Sequence, residues 1–392
     1  MRVGLLNVRF SPNLGDGLLA ECMERELAAL PGVSKVVSVD LAGRSAYGDG
    51  LQNRQLAMRV LGAMPRPVRR FAAAAMLKLL VARKLRPAWR EALEGLDVLV
   101  LGGGNLIADH DLNFPIKISA AVELAAAKKL PVAVFGVGVS EDWSPAAQAY
   151  LARAFGKVRV FHVAVRDQKS QALWRDRFAY PALVCRDPGV LASRHYARRP
   201  GDGGVVRVGL GLTDPMAVSY HGGDAIGEAE FTAWCVELAR GLDGRGCEVT
   251  LFTNGSPEDR AYLQRAAEAI RAEVPRVQVA PGFRDPGELA AFASGLDLLL
   301  AHRLHACIVA YSFGVPHVGF LWDEKVRSFF GAVGRSRFLA DAGRDPPEAV
   351  LQLCDEALRV GVDESRRAAI LAEARQDIAR LHEAIQREAA AA

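Results

Sequence analysis

Short apolar runs, separated by longer stretches in which apolar and polar residues recur at helical spacing, make up most of this chain. Runs of that kind are what parallel strands covered by helices on both faces look like in sequence, because such strands have no wet face to mark with alternating polar residues. The pattern predicts an α/β protein. Strands are expected at 3–7, 36–41, 98–101, 132–136 and 161–165, with a short one at 183–185. A second series follows at 205–211, 248–252, 277–280, 296–300 and 317–320. Between the two series, from Tyr196 to Gly204, lies a polar stretch crowded with Gly, Pro and Asp that cannot form a core and reads as a linker. After Pro347 the pattern is helical down to an alanine-rich end. The organisation expected is therefore two Rossmann-like doubly wound domains, over 1–195 and 205–346, with a helical segment over 347–392.

Composition sharpens this picture in a few places. With 392 residues, 51% of them hydrophobic, each half can bury a core of its own. The cysteines Cys22, Cys185, Cys235, Cys247, Cys307 and Cys354 are scattered without a CxxC pair or metal-ligand spacing, so reduced and mostly buried thiols are expected, with neither disulfides nor a metal site. The N-terminus runs straight into a strand without the charged and apolar regions of a signal peptide, and the apolar run over 71–81 is broken by Lys78 and too short to span a bilayer. A cytoplasmic location is expected. Net charge is only +4, yet residues 51–90 hold ten Lys or Arg and no Asp or Glu. They are Arg54, Arg59, Arg66, Arg69, Arg70, Lys78, Arg83, Lys84, Arg86 and Arg90, interleaved with apolar residues at roughly helical spacing. Two readings fit this insertion. One is a solvated helical face balanced by acidic residues elsewhere, the other a peripheral contact with anionic lipid headgroups of the inner membrane. Nucleic acid is not an expected partner, since no recognisable nucleic-acid module or set of stacking aromatics is present.

The candidate chemistry gathers where strands end. Leu300-Ala301-His302-Arg303-Leu304-His305 puts cations and imidazoles at the carboxyl end of a strand, where open α/β sheets bind ligands, and Gly314, Pro316, Trp322 and Lys325 follow. The plain alternative is a buried, ion-paired strand end. Asn13-Leu14-Gly15-Asp16 follows the first strand and precedes a helix expected from Leu18, so Asp16 is either an N-cap or a site acid. Gly102-Gly103-Gly104-Asn105 ends the third strand, where glycines let backbone approach a ligand closely. Arg166 ends a further strand, a place where an arginine is most often mere surface. The chain has neither GxGxxG nor GxxxxGK[ST], so neither a dinucleotide fingerprint nor a P-loop supports a nucleotide cofactor.

In their order along the chain these segments resemble the polysaccharide pyruvyl transferase family, from the first strand to about Phe330. Members carry Ser-x-Arg-x-His at a strand end, then an apolar helix, Gly-x-Pro, and an aromatic-x-x-Lys segment about twenty residues past the His. Here the matching residues are Arg303, His305, Gly314, Pro316 and Lys325, and the chain departs at Ala301, where Ser is usual, and at Trp322, where many members have Tyr. The Val165-Arg166-Asp167 strand end and Asp187-Pro188 fall in the family's order as well. The resemblance implies transfer of the enolpyruvyl unit of phosphoenolpyruvate to two hydroxyls of one sugar in a polysaccharide or lipid-linked saccharide precursor. The product would be a pyruvate ketal and phosphate, made by two domains facing a cleft in a GT-B-like arrangement, the first on the acceptor side and the second on the donor side.

The residues suit that reaction. A donor bearing phosphate and carboxylate needs permanent cations, and Arg166, Arg303 and Lys325 are assigned to it by analogy. Protonating a vinyl carbon and accepting a hydroxyl proton call for a group that titrates near neutrality, which singles out His305, with Asp16 as its partner and His302 as a supporting residue. Asn13, Gly103, Gly104 and Asn105 are expected to line the substrate. No cofactor is expected beyond the donor itself. Two other readings remain at this level: a glycosyltransferase using a nucleotide sugar, and a noncatalytic carbohydrate-binding protein.

Overall fold

The computed structural model describes residues 1–49, 66–109, 111–178, 180–199, 203–222 and 226–391, with only the backbone described over 66–72 and 219–222. The chain divides into two compact units. The first comprises Met1–Ser11, Leu19–Pro188 and Glu373–Ala392, and the second Pro12–Leu18 and Gly189–Ala372.

Each unit is built on a six-stranded sheet whose neighbouring strands are all parallel. In the first, β1 (Arg2–Asn7), β2 (Lys35–Asp40), β3 (Val98–Gly102), β4 (Val132–Val137), β5 (Val160–Val165) and β6 (Leu183–Val184) run in the order β2-β1-β3-β4-β5-β6. In the second, β7 (Arg207–Gly211), β8 (Glu248–Phe252), β9 (Gln278–Val279), β10 (Leu298–Ala301), β11 (His317–Phe320) and β12 (Leu339–Ala340) run β12-β11-β10-β7-β8-β9. Read from the β9 edge, this is the doubly wound 3-2-1-4-5-6 order of Rossmann sheets. The order reverses between β1 and β3 in one sheet and between β7 and β10 in the other, so the loops leaving those four strands flank the crevices where such sheets take ligands.

The sequence explains the layers. The central strands β3, β4, β10 and β11 are buried along their whole length, as strands covered on both faces must be. Leu6, Leu99, Leu101 and Val134 pack with Trp89, Phe155 and Trp174 in the first unit's core. Each fully buried aliphatic side chain contributes about 1.5–3 kcal/mol. Helix starts are written locally: Ser144-Pro145, Ser256-Pro257 and Asp285-Pro286 each place a capping oxygen on a backbone N–H three residues on, followed by proline at the first helical position.

Three expectations are revised. The first helix spans Leu14–Ala28 and so starts earlier than Leu18, which puts Asp16 inside its first turn rather than at its cap. The two-residue strand β12 escaped the pattern because it is too short to carry a period. Boundaries between units also differ from 1–195 and 205–346: the divide falls after Pro188, and the last helix, Glu364–Ala391, gives its residues from Glu373 onward to the first unit. There Asp377 accepts the Arg186 backbone N–H at 2.8 Å, His382 Nε2 lies 2.8 Å from the Pro31 carbonyl oxygen, and Leu381 and Ile385 are buried. Residues 200–202 of the expected linker and 51–65 of the basic insertion lie outside the described residues.

Candidate functional site

At the carboxyl end of β10 the chain turns through His302 and Arg303 into the helix Leu304–Ser312, whose apolar side packs on β10 and β11 and whose first turn carries His305. Asp16 meets it there. The His305 Nδ1 lies 3.6 Å from Asp16 Oδ1, a distance for an ion pair but too long for a hydrogen bond. The approach depends on Gly15, since a Cβ at that position would lie only 2.4 Å from the Cβ of His305. The segment carrying Asp16 is tied down by the Leu14 N–H, which donates to the Asn254 carbonyl at 2.8 Å, and by Gly255, where a Cβ would come within 2.7 Å of the Pro12 carbonyl oxygen. The sequence expectation had Asp16 on the first domain; Pro12–Leu18 instead belong to the second unit, so His305 and Asp16 meet within that unit, on a glycine that the sequence marked only as a flexible turn.

Arg303 has another partner. Its Nε and Nη2 donate to the two carboxylate oxygens of Asp259 at 2.8 and 3.0 Å, and Asp259 is fully buried. The Asp214 backbone N–H adds a third bond to the same carboxylate at 3.0 Å. This bidentate pair fixes the guanidinium and leaves Nη1 as the edge that can meet an oxyanion. The Arg303 guanidinium also sits 5.0 Å from the Trp322 ring centre, a cation–π contact that ties the loop after β11 to the loop after β10. Lys325 opens the next helix, Glu324–Ala332, with Nζ 3.3 Å from Asp323, the residue that caps that helix.

His302 does not share the role of His305. It is buried against Phe231 and Phe320, and burial, reinforced by the adjacent Arg303 charge, pushes its pKa down to about 3, so the ring is neutral near pH 7. Beside it, across the switch point, Thr213 follows β7 and Asn254 follows β8. The Thr213 hydroxyl, the Asn254 amide and both His302 ring nitrogens are buried without a hydrogen-bond partner among the described residues. Buried polar groups are nearly always satisfied, so this row of side chains fits a place where a polar ligand or water completes the bonding.

In the first unit, Gly103 and Gly104 both have positive φ, 81° and 73°, and a Cβ on Gly103 would meet Leu19 at 2.0 Å. The turn thus lets the end of β3 pack against the first helix. Asn105 reaches Ser140 with an Nδ2 hydrogen bond of 3.0 Å. Arg166, with a nearly buried side chain, pairs with Asp167 at 3.4 Å. Asn105 and Arg166 converge on Gly138, where a Cβ would come within 2.7 Å of Asn105 Oδ1 and 2.5 Å of Arg166 Nη2. These three residues leave β3, β4 and β5 at their carboxyl ends. The structure therefore brings Asp16, Arg303, His305 and Lys325 to one edge of the second sheet, with Asn13 in the same segment as Asp16, and Gly103, Gly104, Asn105 and Arg166 to one edge of the first.

The family model of polysaccharide pyruvyl transferase matches residues 13–324, which takes in every one of these positions but Lys325, the residue next beyond its end. The chain belongs to the polysaccharide pyruvyl transferase family. It is accordingly a transferase of polysaccharide biosynthesis. No curated protein matches the chain. Among solved structures it is similar to MnaA of S. aureus, solved with UDP, at 11% identity and a TM-score of 0.53 over 95% of this chain and 91% of that one. It is similar also to the UDP-GlcNAc 2-epimerase of Neisseria meningitidis, at 11% identity and a TM-score of 0.53 over 98% of this chain and 100% of that one. At such identities the likeness is one of fold, two Rossmann-like domains. Gly138 and Thr213 are the residues here that sequence reasoning did not single out, and Gly15 stood in it only as part of a flexible turn. Gly138 carried a weak signal, lying directly after the end of β4, while in sequence Asp259 looks like an ordinary helix-start carboxylate.

Proposed function

We propose that the protein transfers the pyruvyl unit of phosphoenolpyruvate to two hydroxyls of a sugar in a polysaccharide or lipid-linked saccharide precursor, forming a cyclic ketal and releasing phosphate. The observation that carries this reading is the Asp16–His305 contact at the carboxyl edge of the second sheet, beside the fixed guanidinium of Arg303. An imidazole whose Nδ1 faces a carboxylate is oriented to use Nε2 for proton transfer. A contact of 3.6 Å is within the range that tightens when substrate binds.

The steps balance as follows. Protonated His305 gives its proton to the vinyl carbon, turning it into a methyl group and leaving the adjacent carbon electrophilic. A sugar hydroxyl adds to that carbon, and its proton passes to the His305–Asp16 pair. The carbon–oxygen bond to phosphate then breaks, and the second hydroxyl closes the ring, its proton leaving with the phosphate. The Nη1 edge of Arg303 and the Nζ of Lys325 neutralise charge on the donor, and developing charge on the departing phosphate is where fixed cations help most. In the first unit Arg166, nearly buried and joined to Asn105 around Gly138, is the guanidinium suited to an anionic or hydroxyl-bearing group.

Phosphate release from phosphoenolpyruvate in the presence of saccharide acceptor tests the reading. Acceptor-dependent release is expected from the intact protein, and a loss of about a thousandfold or more from His305→Ala, the scale of removing an acid–base group. Arg303→Ala should be impaired too, through its ground-state grip and its hold on the loop. Release of a nucleoside diphosphate from a nucleotide sugar instead, with phosphoenolpyruvate left intact, would overturn it.

A further inference from the structure

The helix Arg66–Leu80 continues through a π-helical turn, Val81–Leu85, into Arg86–Ala92, and its two faces differ sharply. Leu77, Val81, Leu85 and Trp89, spaced four apart, point into the first unit's core, with Trp89 Nε1 donating to the Asp40 carbonyl at 2.9 Å. That stripe anchors the helix. On the other side Met76, Leu79 and Leu80 are 47%, 51% and 42% exposed, at the i, i+3, i+4 spacing of a single face. Exposed Arg83 and Lys84 follow, with Arg90 beyond.

We propose that this outer face is a docking surface for an anionic lipid bilayer. Neither feature alone would suffice. Apolar side chains that could dip into the acyl boundary and cations that would meet headgroup phosphates occur together, which is the two-part signal reversible membrane binding requires. Some cations have local roles: Arg86 pairs with Glu123 at 3.5 Å and Lys78 lies 5.9 Å from the Tyr150 ring centre, so neither enters the argument. The charge of this face argues against a second copy of the chain as the occupant. Arg83, Lys84 and Arg90 are exposed with no carboxylate in the sequence from Arg66 to Arg90, and a two-fold interface would set these cations against themselves. Exposed aliphatic residues argue equally against nucleic acid, whose phosphates gain nothing from them. Among the described residues no helix is long and apolar enough to cross a membrane, so contact from one side is what the surface offers. The inference does not rest on the donor proposed above, because lipid binding can be read without turnover.

Co-flotation of the intact protein with vesicles tests it. Binding to phosphatidylglycerol-containing vesicles, weakened by salt and absent from pure phosphatidylcholine, is expected. Leu79→Gln with Leu80→Gln, and separately Arg83→Gln with Lys84→Gln, should each weaken binding about tenfold or more. Met216→Gln, which removes a side chain 80% exposed in the second unit, should leave it unchanged. Leu79→Trp keeps the face apolar, so the fluorescence it adds to that of the intact protein should shift to the blue on phosphatidylglycerol vesicles even if the polar variants lose stability. No vesicle binding by the intact protein, no blue shift of the added emission in the Leu79→Trp variant, or loss of self-association rather than of lipid binding in the Leu79/Leu80 variant would overturn the proposal.

Discussion

A single missing methyl decides how His305 is placed. Because a Cβ at residue 15 would overlap the Cβ of His305, Gly15→Ala must push the helix or the imidazole aside. Overpacking of this kind costs about 1–3 kcal/mol. The cost should shrink when Gly15→Ala is made in a His305→Gly background, and urea unfolding of the four proteins measures it; equal costs in both backgrounds would show that the contact is not what Gly15 serves. Asp259 is the second such residue. Asp259→Asn leaves the partly exposed Arg303 charge with half its bonding, and losing hydrogen bonds to a charged group costs about 1.5–3 kcal/mol. A double-mutant cycle with Arg303→Met should recover much of that loss, whereas additive losses would mean the two side chains are not coupled. Sequence pattern singled out His305 and Asp16 as candidates at strand ends, whose side chains the structure places 3.6 Å apart. It could not reveal that Arg303 is committed to Asp259, since that pairing joins residues 44 apart through the fold.

The loops and helices at the sheet edges carry a pH dependence of their own. His302, after β10, and His317, the first residue of β11, are both pushed down to about 3, mainly by burial and secondarily by Arg303 and Arg335 respectively. In the unfolded chain such imidazoles take up a proton near pH 6.5, while in the folded protein they do not. Their contribution to stability is therefore complete above about pH 6.5 and is lost as the pH falls toward about 3. A variant with His302→Gln and His317→Gln should lose less of its melting temperature between about pH 7 and pH 5 than the intact protein, whatever its starting value. An identical fall in both would contradict the burial of neutral rings. At this scale the strands were readable from their apolar runs. The start of the first helix was not, because Asn13-Leu14-Gly15-Asp16 has the composition of a loop, yet the chain is helical from Leu14, where its N–H bonds the Asn254 carbonyl and Gly15 packs against His305.

Across the whole molecule, two parallel sheets and their helices follow from a pattern of buried runs long enough to read, and membership of the polysaccharide pyruvyl transferase family follows from residues spread over 13–324. The division between units was harder to read, because a helix near the C-terminus, far from β6 in sequence, returns to the first unit through Asp377 and His382. Chemistry is the part to be measured. Phosphoenolpyruvate labelled with carbon-13 at its vinyl carbon, incubated in deuterated water with the protein and a saccharide acceptor, reports the reaction through the NMR signal of that carbon. A new saccharide-bound methyl carrying one deuterium, absent with His305→Ala, is the result expected of ketal formation with proton delivery from His305. A labelled carbon that remains vinylic on the sugar, or that never leaves phosphoenolpyruvate with any acceptor, would contradict it.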